Sequence, residues 1–261
     1  MYIVQKKLKL LLIPYITAGF PDKKFFVPAL KTLSENGADF IEVGVPHSDP
    51  LADGPTIQEA SKVALENGVN LNWIIETCHG LVETCHGMSQ QKIKPLILFS
   101  YFNPVLKYGL EKLLRDLPKP LFYGLIIPDL PLEEAQRYLP AFKKHKLNLI
   151  LLVAPTTKKE KLKRISSLSG GIIYMVSVAG VTGARKVLSG DLKSKIKQIK
   201  SFTKKPVVVG FGISTAKHVR QMTSYGADGV VVGSALIKSI MQSKNGQRLS
   251  ALKKLLNSIK I

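Results

Sequence analysis

Eight short apolar segments, separated by longer amphipathic stretches, constrain the fold of this chain more than any other feature. The segments have the length of strands and are rich in branched residues; they span 11–19, 38–45, 95–102, 122–130, 147–155, 171–178, 206–213 and 228–236. The stretches between them, such as "KFFVPALKTLSENG", have apolar residues three and four positions apart, as helices packed on one face do. Apolar strands that alternate with helices predict a parallel sheet covered by helices.

Eight such units in a chain of 261 residues predict a closed (β/α)8 barrel, the TIM-barrel fold of the α/β class. No linker or low-complexity tract interrupts the pattern, so we expect one domain over residues 1–261. A doubly wound open sheet is the structural alternative. It would carry a GxGxxG turn after an early strand, whereas the glycine-rich turns of this chain follow the sixth, seventh and eighth segments.

The second segment places an acidic residue inside an apolar run, in "IEVGVPHSDPLADGP" (41–55). Strand alternation puts Ile41, Val43 and Val45 on one face and Glu42 with Gly44 on the other. Because the apolar face must contact the helices, Glu42 should point into the barrel. A carboxyl buried there without a partner has a raised pKa, which suits a general acid. The alternative is a structural glutamate paired with a lysine or a hydroxyl.

Two aspartates follow Glu42 in a proline-rich loop. Asp49 and Asp53 each fit turn chemistry when taken singly. Taken with Glu42, they form an acidic mouth on a chain whose formal net charge is +20. Other polar residues at strand ends are Tyr101, Asn103, Asp129 and Tyr174, of which Asn103 and Asp129 are interpreted as loop caps.

Three glycine-rich turns, "AGVTGA" (179–184), "VGFGIS" (209–214) and "VVGSAL" (231–236), follow the last three strands. Glycine allows backbone N–H groups to approach an anion closely, and a helix N-terminus adds partial positive charge. Barrels commonly bind phosphate after strands seven and eight. The turns therefore predict a phosphate site.

The positive charge comes from 32 lysines and only 6 arginines, scattered over predicted helices and loops. Nucleic-acid binding proteins rely on arginine and on aromatic stacking, so a nucleic-acid binder is a distant alternative.

The tandem "ETCHGLVETCHG" suggests a metal site, but Cys78 and Cys85 would lie about 10 Å apart on a helix, too far for one zinc ion. No apolar run has the length of a membrane span.

In order along the chain, "EVGVPHSDPLADGPTIQEA", "IIPDLPLEE", "YMVSVAGVTGAR", "GFGIS" and "VVGSALIK" resemble the signatures of the tryptophan synthase alpha chain family. The resemblance covers about residues 10 to 240. It implies a barrel lyase that cleaves indole-3-glycerol phosphate to indole and glyceraldehyde 3-phosphate by a retro-aldol step, in tryptophan biosynthesis.

The same resemblance implies roles for individual residues. Glu42 would be the acid–base carboxyl, and Asp53 would accept a hydrogen bond from the indole N–H. The indole cavity would be lined by Tyr101, Ile126, Tyr174 and Phe211. The phosphate would be held by Gly183, Gly212, Gly233 and Ser234.

The implied partner is the tryptophan synthase beta chain, in an alpha2beta2 heterotetramer. Asp49 and Pro50 would lie at that interface, and pyridoxal phosphate would belong to the beta chain, so this chain itself would need no cofactor. His47 departs from the family, which usually has an aromatic residue there.

We expect the bacterial cytoplasm or the plastid stroma as the location. Two functional alternatives stay open: a silent subunit that only activates a beta chain, and another phosphate-sugar barrel enzyme.

Overall fold

The structure is a computed structural model that describes residues 10–84, 93–176, 188–210 and 212–260. It contains nine strand segments, all paired in parallel. They are β1 (Leu11–Thr17), β2 (Ile41–Gly44), β3 (Leu96–Phe99), β4 (Phe122–Ile126), β5 (Asn148–Ile150), β6 (Leu152–Val153), β7 (Ile173–Val176), β8 (Val207–Gly210) and β9 (Gly229–Val232).

The sheet closes into the predicted barrel. The strand order is β5-β4-β3-β2-β1-β9-β8-β7-β6, and the two ends of that order are consecutive in the chain. β5 and β6 are two halves of one barrel strand, interrupted at Leu151. Its backbone N–H donates to the Ser169 hydroxyl over 2.9 Å, instead of to a neighbouring strand. The eight-stranded prediction is therefore confirmed, with its fifth strand divided in two.

The helices cover the outside of the sheet. They are α1 (Lys23–Glu35), α2 (Pro55–Glu66), α3 (Leu71–Thr84), α4 (Phe102–Tyr108), α5 (Leu110–Asp116), α6 (Leu132–Lys144), α7 (Lys159–Leu168), α8 (Leu188–Phe202), α9 (Ala216–Ser224), α10 (Ser234–Met241) and α11 (Arg248–Ile259), with a 3-10 turn at Asn245–Gln247. Within α1, Phe26, Leu30 and Leu33 are fully buried, which is the spacing that the sequence predicts. Within the described part of the chain, no helix is both long and apolar enough to cross a bilayer.

Strand register fixes which side chains face the interior. Glu42 pairs with Tyr15 of β1 and with Ile97 of β3, so these three lie in one row around the barrel. Two residues further along the strands, Gly44 pairs with Thr17 and with Phe99. Neighbouring residues in register face the same side of a sheet. The Glu42 row and the Gly44 row are therefore two successive layers of the interior.

Two glycines make room for tyrosines on the neighbouring strands. A Cβ atom at Gly44 would overlap the Tyr15 hydroxyl, and one at Gly210 would overlap the Tyr174 hydroxyl. Both tyrosines are buried. The interior near the carboxyl ends of the strands thus accommodates large rings because their neighbours lack side chains.

Candidate active site

Glu42 is buried inside the barrel, as strand alternation predicts, with 2% of its surface exposed. Among the described residues, its Oε2 atom has no hydrogen-bond partner and the carboxyl takes part in no ion pair. Burial raises the pKa of the carboxyl to about 8, while hydrogen bonding with Tyr174 opposes that rise and the charge of Asp53 adds to it. Glu42 is therefore mostly protonated at pH 7. The alternative of a structural glutamate paired with a hydroxyl is met only in part, because the Tyr174 hydroxyl leaves the Oε2 atom without a described partner.

Asp53 lies in the loop between β2 and α2, with its side chain turned toward the site. Its backbone is part of a turn: its N–H donates to Pro50 O over 2.9 Å, and its C=O accepts from Gln58 Nε2 over 2.9 Å. Its Oδ2 atom accepts a hydrogen bond of 3.1 Å from the Tyr101 hydroxyl. Partial burial raises the pKa of Asp53 to about 6, against the lowering effect of that bond. The backbone of Asp53 thus forms the turn that the sequence predicts, while its side chain bonds to Tyr101.

Tyr101 joins the loop of Asp53 to the end of β3. Its hydroxyl accepts from the Ala52 backbone N–H over 2.8 Å while it donates to Asp53. Its ring packs edge-on against Phe99, with ring centres 6.3 Å apart, and stacks on His47 at 4.8 Å. Burial and the charge of Asp53 raise the pKa of this phenol, so it stays neutral and available as a donor.

Tyr174 and Tyr15 are two further buried phenols that interact with the carboxyls of Glu42 and Asp53. Burial raises the pKa of both phenols, and the charges of Glu42 and Asp53 raise it further. Tyr15 shares a hydrogen bond of 3.3 Å with the Thr17 hydroxyl. Tyr174 was a sequence candidate, but Tyr15 was not. Alternation along β1, continued from the register with Glu42, was the signal that could have identified it.

Ile126 lies in the same interior layer as Gly44. It pairs with Phe99, which in turn pairs with Gly44, and it is fully buried. The sequence candidates Glu42, Asp53, Tyr101 and Tyr174 therefore interact with one another, while Ile126 is placed by strand register alone. Phe211 lies outside the described residues.

The predicted phosphate end is described in part. Gly212 follows β8, is exposed, and has a φ of 48°, which lies in the left-handed region that favours glycine. Gly233 precedes α10 and Ser234 begins it, so the free N–H groups of that helix's first turn lie at the carboxyl end of β9. Gly183 and the rest of "AGVTGA" lie outside the described residues.

The outer rim of the loop is open to solvent. Asp49 is exposed, Pro50 is half-buried, and the Leu51 side chain is 83% exposed. A cavity of about 340 Å³ lies beside them, with His47, Asp49, Tyr101 and Asp129 in its lining. Asp129 Oδ1 accepts from the Phe102 N–H over 2.8 Å, so the prediction of a loop cap is confirmed for this residue.

The cysteine–histidine tandem is described only up to Thr84. Cys78 is fully buried on α3, and His79 Nε2 lies 2.7 Å from Asp116 O. Within the described ranges, no group of three or more histidine, cysteine or acidic side chains is placed to hold a metal ion. Cys85 and His86 lie outside these ranges.

Comparison with known proteins identifies the same family as the motifs. The family model for the tryptophan synthase alpha chain matches residues 2–260. The tryptophan synthase alpha chain of Picosynechococcus sp. is 46% identical over 252 residues, which are 95% of this chain and 92% of the relative. That of Arabidopsis thaliana is 45% identical over 240 residues, 92% of this chain and 85% of the relative.

Solved structures agree with the sequence relatives. A chain in a structure of the α2β2 tryptophan synthase complex from Pyrococcus furiosus superposes with a TM-score of 0.84 at 36% identity, covering 96% of this chain and 98% of that one. A Mycobacterium tuberculosis tryptophan synthase structure gives a TM-score of 0.82 at 34% identity, covering 96% and 91%. The family consists of lyases that cleave indole-3-glycerol phosphate. The chain belongs to the tryptophan synthase alpha chain family.

Proposed function

We propose that this chain performs the retro-aldol cleavage of indole-3-glycerol phosphate with Glu42 as its acid–base residue. The observation that carries the proposal is a buried, uncharged carboxyl inside the barrel, with one oxygen that bonds to no described residue. A general acid needs a proton at working pH and an oxygen available to its substrate. Glu42 has the first through its raised pKa, and the second at Oε2, which bonds to no described residue.

The proton transfers balance with a single carboxyl. Glu42 gives its proton to the indole ring carbon that carries the side chain, and the ring becomes a cation. The resulting carboxylate then accepts the proton of the side-chain hydroxyl, while the carbon–carbon bond breaks. The bonding electrons restore the aromatic ring, and the hydroxyl carbon becomes the aldehyde of glyceraldehyde 3-phosphate. Glu42 ends the cycle protonated, as it began.

Asp53 stabilises the charged intermediate in this scheme. With a pKa of about 6 it is mostly ionised at pH 7, unlike Glu42. A carboxylate that accepts a hydrogen bond from the indole N–H favours the cationic ring more than the neutral one. The two carboxyls thus divide the roles of proton donor and anion, in the way that environments tune paired acids in other enzymes.

The other substrate contacts are proposed from the resemblance to the family. Tyr101, Ile126, Tyr174 and Phe211 would surround the indole. Gly183, Gly212, Gly233 and Ser234 would bind the phosphate through backbone N–H groups and the first turn of α10. The net charge of +20 favours approach of an anionic substrate.

The beta chain is the proposed partner. The Pyrococcus furiosus relative is seen in an α2β2 complex, and Asp49 and Leu51 are exposed on the same loop as Asp53. We place Asp49 and Pro50 at that interface, in an alpha2beta2 heterotetramer that uses pyridoxal phosphate on the beta side. The proposed proton transfers by Glu42 need no cofactor in this chain. The bacterial cytoplasm or the plastid stroma is the proposed compartment.

The test compares wild type with Glu42→Gln, supplied with indole-3-glycerol phosphate with and without a beta chain. Glutamine keeps the shape of the neutral acid but has no proton to transfer. Indole release should fall at least about 100-fold, while an indole alkyl phosphate that lacks the cleavable hydroxyl should still bind. Glu59→Gln, an exposed change on α2, is the matched control. Full turnover by Glu42→Gln would refute the assignment. A wild type that activates the beta chain yet releases no indole would identify a silent subunit.

A further inference from the structure

His47 lies outside the barrel interior but contacts the residue that holds Asp53. Its ring stacks on Tyr101 with ring centres 4.8 Å apart and an angle of 27° between the planes. His47 is half-buried, three residues after the end of β2 and six residues before Asp53. The loop therefore contacts Tyr101 at two places along its length. The first contact is the ring of His47, and the second is formed by the Ala52 backbone N–H and the Asp53 carboxyl.

The position of the Tyr101 ring determines whether its hydroxyl reaches Asp53. Phe99 packs edge-on against the ring, and His47 stacks on it nearly parallel. The hydroxyl then makes both of its bonds, from Ala52 N–H at 2.8 Å and to Asp53 Oδ2 at 3.1 Å. A small rotation of the ring would lengthen both bonds, because the hydroxyl lies at the far end of the side chain.

We propose that His47 is a positioning residue for the cleavage reaction, which stacks on Tyr101 and so keeps the Tyr101 hydroxyl on the Asp53 carboxylate. The proposal rests on the function proposed above for Asp53. It does not require His47 to touch the substrate. It also gives a physical role to the position where this chain departs from the aromatic residue usual in its family.

The expected consequence is a change in the acidity of Asp53. The bond from Tyr101 lowers the pKa of Asp53, so losing it would move that pKa above about 6 and leave less carboxylate at neutral pH. Other groups face the same carboxyl or its donor. The charge of Asp53 raises the pKa of Glu42 on β2, Tyr15 on β1 and Tyr174 on β7, the charge of Asp129 raises the pKa of Tyr101, and the His47 ring stacks on Tyr101.

The experiment uses four variants: His47→Ala, His47→Phe, Tyr101→Phe and the double variant His47→Ala with Tyr101→Phe. Two readouts are taken from each. One is the pH dependence of kcat/KM, which reports the free enzyme. The other is the titration of the Asp53 side chain followed by carboxyl-carbon NMR, which does not need turnover. His79→Ala on α3 serves as a histidine control away from the site.

Tyr101→Phe should raise the Asp53 midpoint by about 1 pH unit, as expected for losing a hydrogen bond to a charged group. His47→Ala should raise it in the same direction by about 0.5 unit. The double variant should match Tyr101→Phe, because the stack acts only through the hydroxyl. His47→Phe should restore the wild-type midpoint, since phenylalanine stacks but does not titrate.

Three results would overturn the proposal: an unmoved midpoint in His47→Ala, an additive shift in the double variant, or equal shifts in His47→Ala and His47→Phe. The last would assign the effect to the charge of His47 rather than to its stacking. If wild type fails to cleave indole-3-glycerol phosphate, the proposed function fails, yet the NMR titration still decides whether His47 positions Tyr101 on Asp53.

Discussion

Replacing Glu42 by glutamine should stabilise the folded chain, and the gain should grow as the pH rises. The folded-state pKa of Glu42 is raised to about 8 by burial, from an ordinary value of 4.5. A group with a raised pKa in the folded state contributes its full stability below the unfolded pKa and loses it as the pH rises toward the folded pKa. For Glu42 this loss runs between about pH 4.5 and pH 8.

The size of the effect follows from the two pKa values. By pH 7 the wild type should have lost about 3 kcal/mol relative to pH 4, and above pH 8 the loss should approach an upper bound of about 5 kcal/mol. Glutamine has the volume of the protonated acid and does not ionise, so it removes this pH dependence. The hydroxyl of Tyr174 can still bond to its amide. The difference between variant and wild type should therefore be small at pH 4 and large at pH 9.

Urea unfolding measured at intervals from pH 4 to pH 9 tests the prediction. The free energies of unfolding of wild type and Glu42→Gln should diverge through the neutral range, while Glu59→Gln, changed at an exposed site, should run parallel to wild type. A constant offset between Glu42→Gln and wild type at every pH would refute the reasoning. It would mean that the carboxyl is solvated or paired in the folded chain.

Three further predictions concern the remaining parts of the site. The pH dependence of kcat/KM should be bell-shaped, with limbs near the pKa values of about 6 and about 8 of the two carboxyls, and Asp53→Asn should lose the acid limb. Gly44→Ala should cost about 1 to 3 kcal/mol in urea unfolding, because its Cβ would displace the Tyr15 ring, whereas Gly54→Ala has open space and should not. Gly212→Ala should raise KM more than it lowers kcat, because alanine strains a backbone of φ 48° at the proposed phosphate loop; an unchanged KM would argue against that loop as the phosphate site.

The direction of Glu42 could be predicted from sequence because the two faces of a barrel strand have different surroundings. Helices require an apolar outer face, so an isolated polar residue in period-two alternation must face inward. Ile41 and Val43 determine the orientation of β2, and the register then carries it to Tyr15 and Ile97. The number of barrel strands was predictable for the same reason, since each strand needs a helix to cover it.

The contacts of Asp53 could not be predicted in the same way. They depend on the conformation of an irregular loop and on which side chain of a neighbouring strand lies beneath it. Asp-Gly-Pro predicted the turn correctly, but turn chemistry does not say where the carboxyl points. The Tyr101 bond joins residues 48 positions apart, across two strands that are neighbours only in the folded sheet. The division of the fifth strand at Leu151 was equally hidden, because it depends on the hydroxyl of Ser169.

The difference between the two carboxyls arises mainly from the depth of burial and not from cations, because a tyrosine hydroxyl bonds to each of them, Tyr174 to Glu42 and Tyr101 to Asp53. Among the described residues, the buried polar side chains are Thr17, Glu42 and four serines, with no lysine or arginine, although the whole chain carries a net charge of +20. An ammonium group beside Glu42 would lower the pKa of both carboxyls and remove the proton that cleavage requires. A tyrosine hydroxyl lowers the pKa of each carboxyl, but the deeper burial of Glu42 still holds its pKa at about 8. The raised pKa values of about 6 and about 8 therefore depend on keeping every lysine of the described chain outside the core.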